Sequence, residues 1–72
     1  MRYFYTIDGV AGSSSPVAQF SGRYWDGVST FVAFSDQVAI SIDDTTVDIH
    51  KSVIDWIATT YSAARKDVVF VG

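Results

Sequence analysis

The first part of the chain alternates between apolar and polar positions with the two-residue period of β-strands. This pattern predicts a first strand over Arg2–Ile7, which Asp8-Gly9 ends, and a second strand over Val17–Trp25, in which Gly22 marks a bulge. Asp26-Gly27 has the composition of a two-residue hairpin turn, because both residues tolerate the positive φ that such a turn requires.

The same alternation continues beyond this turn and predicts two more strands. The third covers Val28–Phe34 and the fourth covers Gln37–Ile42, with Ser35-Asp36 as a second tight connection between them. The last apolar stretch, Val68–Val71, also has the composition of a strand, but it lacks polar alternation.

Between the last two predicted strands, the spacing of the apolar residues changes to that of an α-helix. Asp44 or Thr45 can cap its start, and Asp48 stands where the acid of a capping box belongs. Arg65-Lys66 suit the negative end of the helix dipole, so we expect the helix to end there. One apolar stripe runs along this helix: Ile49, Val53, Trp56, Ile57, Thr60 and Ala64.

These elements predict an α+β fold in a single domain over residues 1–72, with the order ββββαβ. We expect a four- to five-stranded, mostly antiparallel sheet with one helix packed on one face. The last strand returns beside an earlier one through a right-handed crossover. Its apolar residues on both faces favour a central position in the sheet, and pairing with another chain is the alternative.

Two-residue turns at both connections would fix which side chains share a face of the sheet. The face that the helix covers would then carry seven residues: Ala18, Phe20, Phe31, Ala33, Val38, Ile40 and Ile42. The opposite face would carry further apolar residues that one helix cannot cover. Together with the outward side chains of the last strand, they form the predicted partner-binding set: Trp25, Val28, Val32, Phe34, Val69 and Val71. Local cover by the first strand, or a register shifted by one residue, are the alternatives.

Composition limits the classes of protein to which the chain can belong. Apolar residues make up 49% of the sequence and charged residues 18%, which excludes disorder. The net charge of −3 argues against nucleic acid and anionic membranes as partners. The chain contains no cysteine, and no apolar run is long enough to span a membrane, so we expect a cytoplasmic protein, or a virion component if it is viral.

No constellation of residues in the sequence points to catalysis. His50 has no acid placed to orient it, and Asp43-Asp44 with Asp48 lack the spacing of a calcium loop. Gly12–Pro16 lacks the lysine and the following helix of a phosphate-binding loop. We therefore expect no catalytic residues, no metal and no cofactor.

The expected function is a non-enzymatic protein–protein interaction module, a small structural or accessory subunit of a larger assembly, of which a virion accessory protein is one form. The core of a 72-residue chain seldom stabilises it without disulfides, metals or partners, so the length favours an oligomer or a complex subunit. The alternative is a small acidic inhibitor of the phage type, which binds and blocks a host protein complex through its acidic helix start. An enzyme is the least favoured class.

Overall fold

A computed structural model describes the whole chain, Met1–Gly72. The chain forms three long strands, one α-helix, a short 3₁₀ turn and a short final strand, and these elements bear out the predicted α+β class. Their bounds are β1 Tyr3–Ala11, β2 Val17–Trp25, β3 Phe31–Ala39, α1 Thr46–Thr60, the 3₁₀ turn Arg65–Asp67 and β4 Val68–Phe70.

The sheet is four-stranded with the order β3-β2-β1-β4. β1 pairs antiparallel with β2, and β2 pairs antiparallel with β3. β4, which follows the helix in the chain, pairs parallel to β1. The last strand therefore does return beside an earlier strand of its own sheet. Its expected central position is wrong, because β4 lies at an edge, where Val68 is buried but Phe70 is exposed.

The predicted third and fourth strands are one continuous strand, so the element order is βββαβ. Ser35 and Asp36 do not form a turn, since they pair in unbroken register with Ser21 and Phe20 of β2. Two polar residues in succession resemble a turn in sequence. Here both lie on an edge strand and their side chains remain exposed to water. Pairing with β2 therefore does not remove these polar side chains from solvent.

The irregularity between β1 and β2 lies in β1, and not at Gly22 as predicted. The register shifts between Ile7 and Gly9, so Asp8-Gly9 forms a bulge inside the strand rather than its end. Gly22 pairs regularly, but a Cβ there would lie 1.9 Å from the carbonyl oxygen of Phe4 and 2.7 Å from the ring of Phe34. Glycine is therefore required at position 22 for close packing.

The start of the helix follows the predicted capping pattern. Thr45 is the N-cap, and its hydroxyl accepts a hydrogen bond from the backbone N–H of Asp48 at 3.2 Å. In return, the Asp48 carboxylate accepts the N–H of Thr45 at 3.1 Å. Both bonds satisfy backbone donors that the first helical turn leaves without partners, so the helix begins here and not earlier.

The end of the helix differs from the prediction. α1 stops at Thr60, Ser62 adopts φ 53°, and the N–H of Ala63 donates to the carbonyl of Ala58 at 2.9 Å, which is the bond of a Schellman motif. Arg65-Lys66 therefore lie beyond the helix, in the 3₁₀ turn. Arg65 instead forms an ion pair with Asp55, on the exposed side of α1.

The core lies between α1 and one face of the sheet. Val53 and Ile57 of the helix are fully buried against side chains from the two central strands, and the rings of Phe20 and Trp56 meet edge-to-face at 5.1 Å. The buried residues are Tyr3, Tyr5, Ala18, Phe20, Val53, Ile57 and Val68. Of the predicted core, Ala18 and Phe20 are confirmed, and Val38 and Ile40 pack against the buried cluster, but Phe31, Ala33 and Ile42 are exposed.

Ser62 offers a direct test of how the helix ends. A Cβ in the left-handed conformation costs roughly 1–2 kcal/mol, more than the additional entropy that glycine loses on folding. We expect Ser62→Gly to raise the free energy of unfolding by about 0.5–1 kcal/mol, which shifts Tm upward by about 4 °C in a domain of this size. Thermal and urea unfolding monitored by circular dichroism measures the change.

The matched control is Thr59→Gly, which places the same residue inside the helix and should lower stability by about 0.3 kcal/mol, because glycine is a poorer helix former than threonine. Equal destabilisation by both substitutions would mean that Ser62 does not have a positive φ in solution.

Candidate protein-interaction site

The sheet face opposite the helix carries a group of large side chains, here called the aromatic cluster: the half-buried Phe4 and the exposed Arg23, Trp25 and Phe31. Trp25 and Phe31 are paired across β2 and β3, and their rings meet edge-to-face at 5.2 Å. Trp25 is 40% exposed and Phe31 is 52% exposed, although both belong to regular strands. The cluster is thus a fixed apolar surface in contact with solvent.

Arg23 links the rings of this cluster. Its guanidinium lies 5.4 Å from the ring centre of Phe31 and 5.8 Å from that of Phe4, within the range of cation–π attraction. Phe4 and Arg23 are direct neighbours across β1 and β2. The arginine is therefore held along the sheet, with its charge at the surface and its carbon stem over apolar neighbours.

The end of β4 extends the same face. Val69 pairs with Phe4, so both side chains point away from the helix. Val71 is fixed just beyond the strand: its N–H donates to the carbonyl of Tyr5 at 2.8 Å, and its carbonyl accepts the hydroxyl of Thr6 at 2.8 Å. Val71 is 44% exposed. The apolar surface therefore reaches from the β2–β3 hairpin to the end of the chain.

The loop of residues 26–30 sets the position of the cluster. The Asp26 carboxylate accepts hydrogen bonds from the N–H groups of Val28, Ser29 and Thr30 at 2.7, 2.9 and 3.3 Å, and the Asp26 N–H donates to the carbonyl of Thr30 at 3.0 Å. The loop is thus organised around one side chain. It places Val28, 82% exposed, at the tip beside the cluster.

This loop corrects the predicted faces of β3. A two-residue turn would place Val28 opposite Trp25, whereas the residue opposite Trp25 is Phe31. The difference of three positions is odd, and an odd shift exchanges the two faces of a strand. Val32 and Phe34 therefore lie on the helix side, and Phe31 lies on the exposed side.

The predicted partner-binding residues are accordingly divided between two surfaces. Trp25, Val69 and Val71 lie on the exposed face as predicted, and Val28 lies in the adjoining loop. Phe34, in contrast, packs against the core beside Tyr61, with 5.6 Å between the ring centres. The six residues do not form one continuous surface.

Sequence reasoning missed three members of the aromatic cluster. The predicted two-residue turn places Phe31 in the core, and no pattern in the sequence marks Arg23 as part of an apolar surface. The alternation within β1 does contain a signal for Phe4, because it places the side chain on the face opposite those of Tyr3 and Tyr5. The cation–π contacts of Arg23 depend on the strand register, which the sequence did not give.

The only histidine has a partner that the sequence did not indicate. Nδ1 of His50 lies 2.7 Å from the hydroxyl of Tyr5, and the ring of Phe70 packs edge-on against the imidazole at 4.5 Å. Burial raises the pKa of Tyr5, so its phenol keeps the proton that it can donate to the ring nitrogen. The contact joins α1 to β1 and serves packing.

No three acidic or histidine side chains come together in a geometry that would hold a metal ion. The one α-helix is neither long nor apolar enough to cross a bilayer.

Comparisons with protein-family models, with curated protein sequences and with solved structures gave no match for this chain.

The pH dependence of stability tests whether the Asp26 carboxylate organises the loop. Hydrogen bonds from the N–H groups of Val28 and Ser29 lower the pKa of Asp26, because they stabilise its ionised form in the folded state. The resulting stabilisation is present above the pKa of the unfolded chain and is lost as pH falls through the lower, folded value. We expect Asp26→Asn to destabilise the protein at about pH 7, and the difference from wild type to shrink toward zero as pH falls through the lowered pKa of folded Asp26.

Urea unfolding at a series of pH values measures this difference. A deficit of Asp26→Asn that stays constant from neutral to acidic pH would show that the ionised carboxylate does not hold the loop.

Proposed function

We propose that this chain is a non-enzymatic protein–protein interaction module, a small structural or accessory subunit that buries its aromatic cluster against another protein of a larger assembly. The observation that carries the proposal is the exposure of Trp25 and Phe31, 40% and 52%, on a regular strand pair with Arg23 laid across the ring of Phe31. Tryptophan and arginine are the residue types most enriched among those that dominate binding energy at protein interfaces.

The rigidity of the cluster supports this role. Its side chains come from paired strands and already contact one another, so a partner would not have to pay for ordering them. An aromatic surface held in this way by a hydrogen-bonded sheet is preorganised for binding. Disordered or scattered apolar residues would not offer this advantage.

The small core gives a thermodynamic reason for association with a partner. Only 7 of 72 residues are buried, so the free energy that the core contributes to folding is limited. Covering the exposed halves of Trp25 and Phe31 would contribute about 1 kcal/mol each. Association would then stabilise the fold as well as the complex.

The proposed site of action is the cytoplasm, or the virion in the case of a viral protein. The absence of cysteine agrees with a chain that is stabilised by partners instead of disulfides. The cluster carries a single positive charge, on Arg23, so a partner surface with apolar pockets and an acidic rim would fit it.

Affinity capture from the native source, followed by quantitative mass spectrometry, tests the proposal. We expect the wild type to capture a defined protein partner, and Trp25→Asp and Phe31→Asp to lower its affinity by about 30-fold or more, because hot-spot substitutions cost at least about 2 kcal/mol. Circular dichroism of both variants should match wild type, since neither residue belongs to the core.

The matched control is Val47→Asp, which introduces the same charge at an exposed apolar residue of α1, on the other side of the sheet. This variant should capture the partner as wild type does. Equal capture by Val47→Asp, Trp25→Asp and Phe31→Asp would overturn the proposed site.

A further inference from the structure

The two edges of the sheet differ in length. β4 offers three residues at one edge, whereas β3 offers nine at the other and pairs only with β2. Natural sheets blunt exposed edges with lysine, proline, bulges or charges that point toward the core side. β3 contains neither lysine nor proline and pairs without a bulge, and its one charged residue, Asp36, is on the helix side but remains exposed to water. A long, regular edge of this kind is suited to accept another strand.

The hydrogen bonds at the two ends of β3 show which of its backbone groups point outward. Ile40 N–H donates to the Pro16 carbonyl, and Asp26 N–H donates to the Thr30 carbonyl, both at 3.0 Å. Backbone groups of alternate residues face β2, so the even-numbered residues of β3 face inward. The N–H and C=O groups that point away from the sheet are those of Phe31, Ala33, Ser35, Gln37 and Ala39.

Most of these outward groups have no hydrogen-bond partner in the chain. The exceptions are the N–H of Gln37, which donates to the Asp36 carboxylate at 2.8 Å, and the carbonyl of Phe31, which accepts the Thr30 hydroxyl at 3.3 Å. Both involve exposed side chains that can exchange with water. The free edge therefore offers a nearly complete row of backbone donors and acceptors.

We infer that a second copy of this chain pairs with β3, antiparallel and about a two-fold axis that passes beside Ser35. Two such strands overlap over their full length only when Ser35 lies opposite Ser35 of the second copy. All the outward residues then fall in hydrogen-bonded pairs. A shift by two residues shortens the pairing, and in one direction it places Asp36 opposite Asp36, where like charges repel.

The side chains of β3 are complementary in this register. On the exposed face, Phe31 lies beside the small Ala39 of the second copy. On the helix side, the half-buried Val32 lies beside Val38 of the second copy, so each covers the other. Asp36 falls opposite Phe34 and not opposite itself. The first half of β3 thus carries side chains that fit those of its second half. This self-complementarity favours a second copy over an unrelated strand as the occupant of the edge.

The dimer would give the proposed function a defined geometry, and this step rests on that function. Both aromatic clusters lie on the same side of the joined sheet, because a two-fold axis perpendicular to a sheet preserves its faces. Phe31 and its counterpart are eight residues apart along the strand pair, which at about 3.3 Å per residue is about 26 Å. A partner with two docking sites at this spacing would bind both copies at once.

Sedimentation velocity and light scattering on the full chain, over a range of concentrations, test the inference. We expect wild type to form a dimer and Ser35→Lys to remain monomeric over the same range, because two lysines would face each other at the axis. Gln19→Lys, which adds the same charge on the neighbouring strand β2 away from the edge, should dimerise as wild type does.

A mixture of two variants tests the register. Ser35→Lys and Ser35→Asp should each be monomeric alone, and mixing them should restore a dimer that contains one copy of each, since residue 35 faces itself across the axis. A wild type that stays monomeric at all concentrations would overturn the inference. So would a dimer that Ser35→Lys leaves intact, or a mixture that remains monomeric.

The test of dimerisation can be distinguished from the test of partner capture. Trp25→Asp should leave the dimer intact, because Trp25 lies on β2, whereas it should weaken capture of the partner. Failure to dimerise with capture retained would overturn only the pairing of β3, and a dimer whose capture is insensitive to Trp25→Asp would overturn only the docking face.

Discussion

The structure depends on the coverage of a four-stranded sheet by a single helix. The 15 residues of α1 bury Val53 and Ile57 against one face, and the chain supplies no second layer for the other. Since an apolar sheet face needs a covering layer, the large apolar residues of the uncovered face stay in contact with solvent in the single chain. That face contains Trp25 and Phe31 as well as polar residues.

The two unusual surfaces of the molecule follow from this constraint. The aromatic cluster lies on the face that α1 does not cover, and the free side of β3 lies at the edge that β4 cannot protect, because β4 adds to the other side of β1. One surface presents side chains and the other presents backbone. The two surfaces share Phe31, which belongs to the cluster and to β3. They can be occupied at the same time, because the residue beside Phe31 in the second copy is the small Ala39.

Local signals in the sequence predicted the helix start and the fold class. The capping box of Thr45 and Asp48 and the stripe that includes Val53 and Ile57 are interactions between near neighbours, which a sequence shows directly. The helix end was missed because Ser62 occupies a position where glycine is usual, so no residue marked it.

The faces of β3 could not be predicted because they depend on one loop. Asp26-Gly27 is typical of a tight turn, and nothing in the sequence shows that the Asp26 carboxylate instead collects the N–H groups of Val28, Ser29 and Thr30. An error of three positions in the pairing placed Phe31 in the core. The expectation of surplus apolar surface stays valid, because Trp25 precedes the loop and does not depend on its length.

We propose that a partner covers the aromatic cluster in the cell, whereas the cluster is exposed in the isolated chain. Hydroxyl-radical footprinting, performed in the cells that make the protein and on the dilute purified chain, measures this directly. We expect oxidation of Trp25 and Phe31 to be strongly reduced in cells, and that of Val47, on the exposed side of α1, to be the same in both samples. Equal oxidation of Trp25 and Phe31 in cells and in dilute solution would contradict burial of the cluster by a partner.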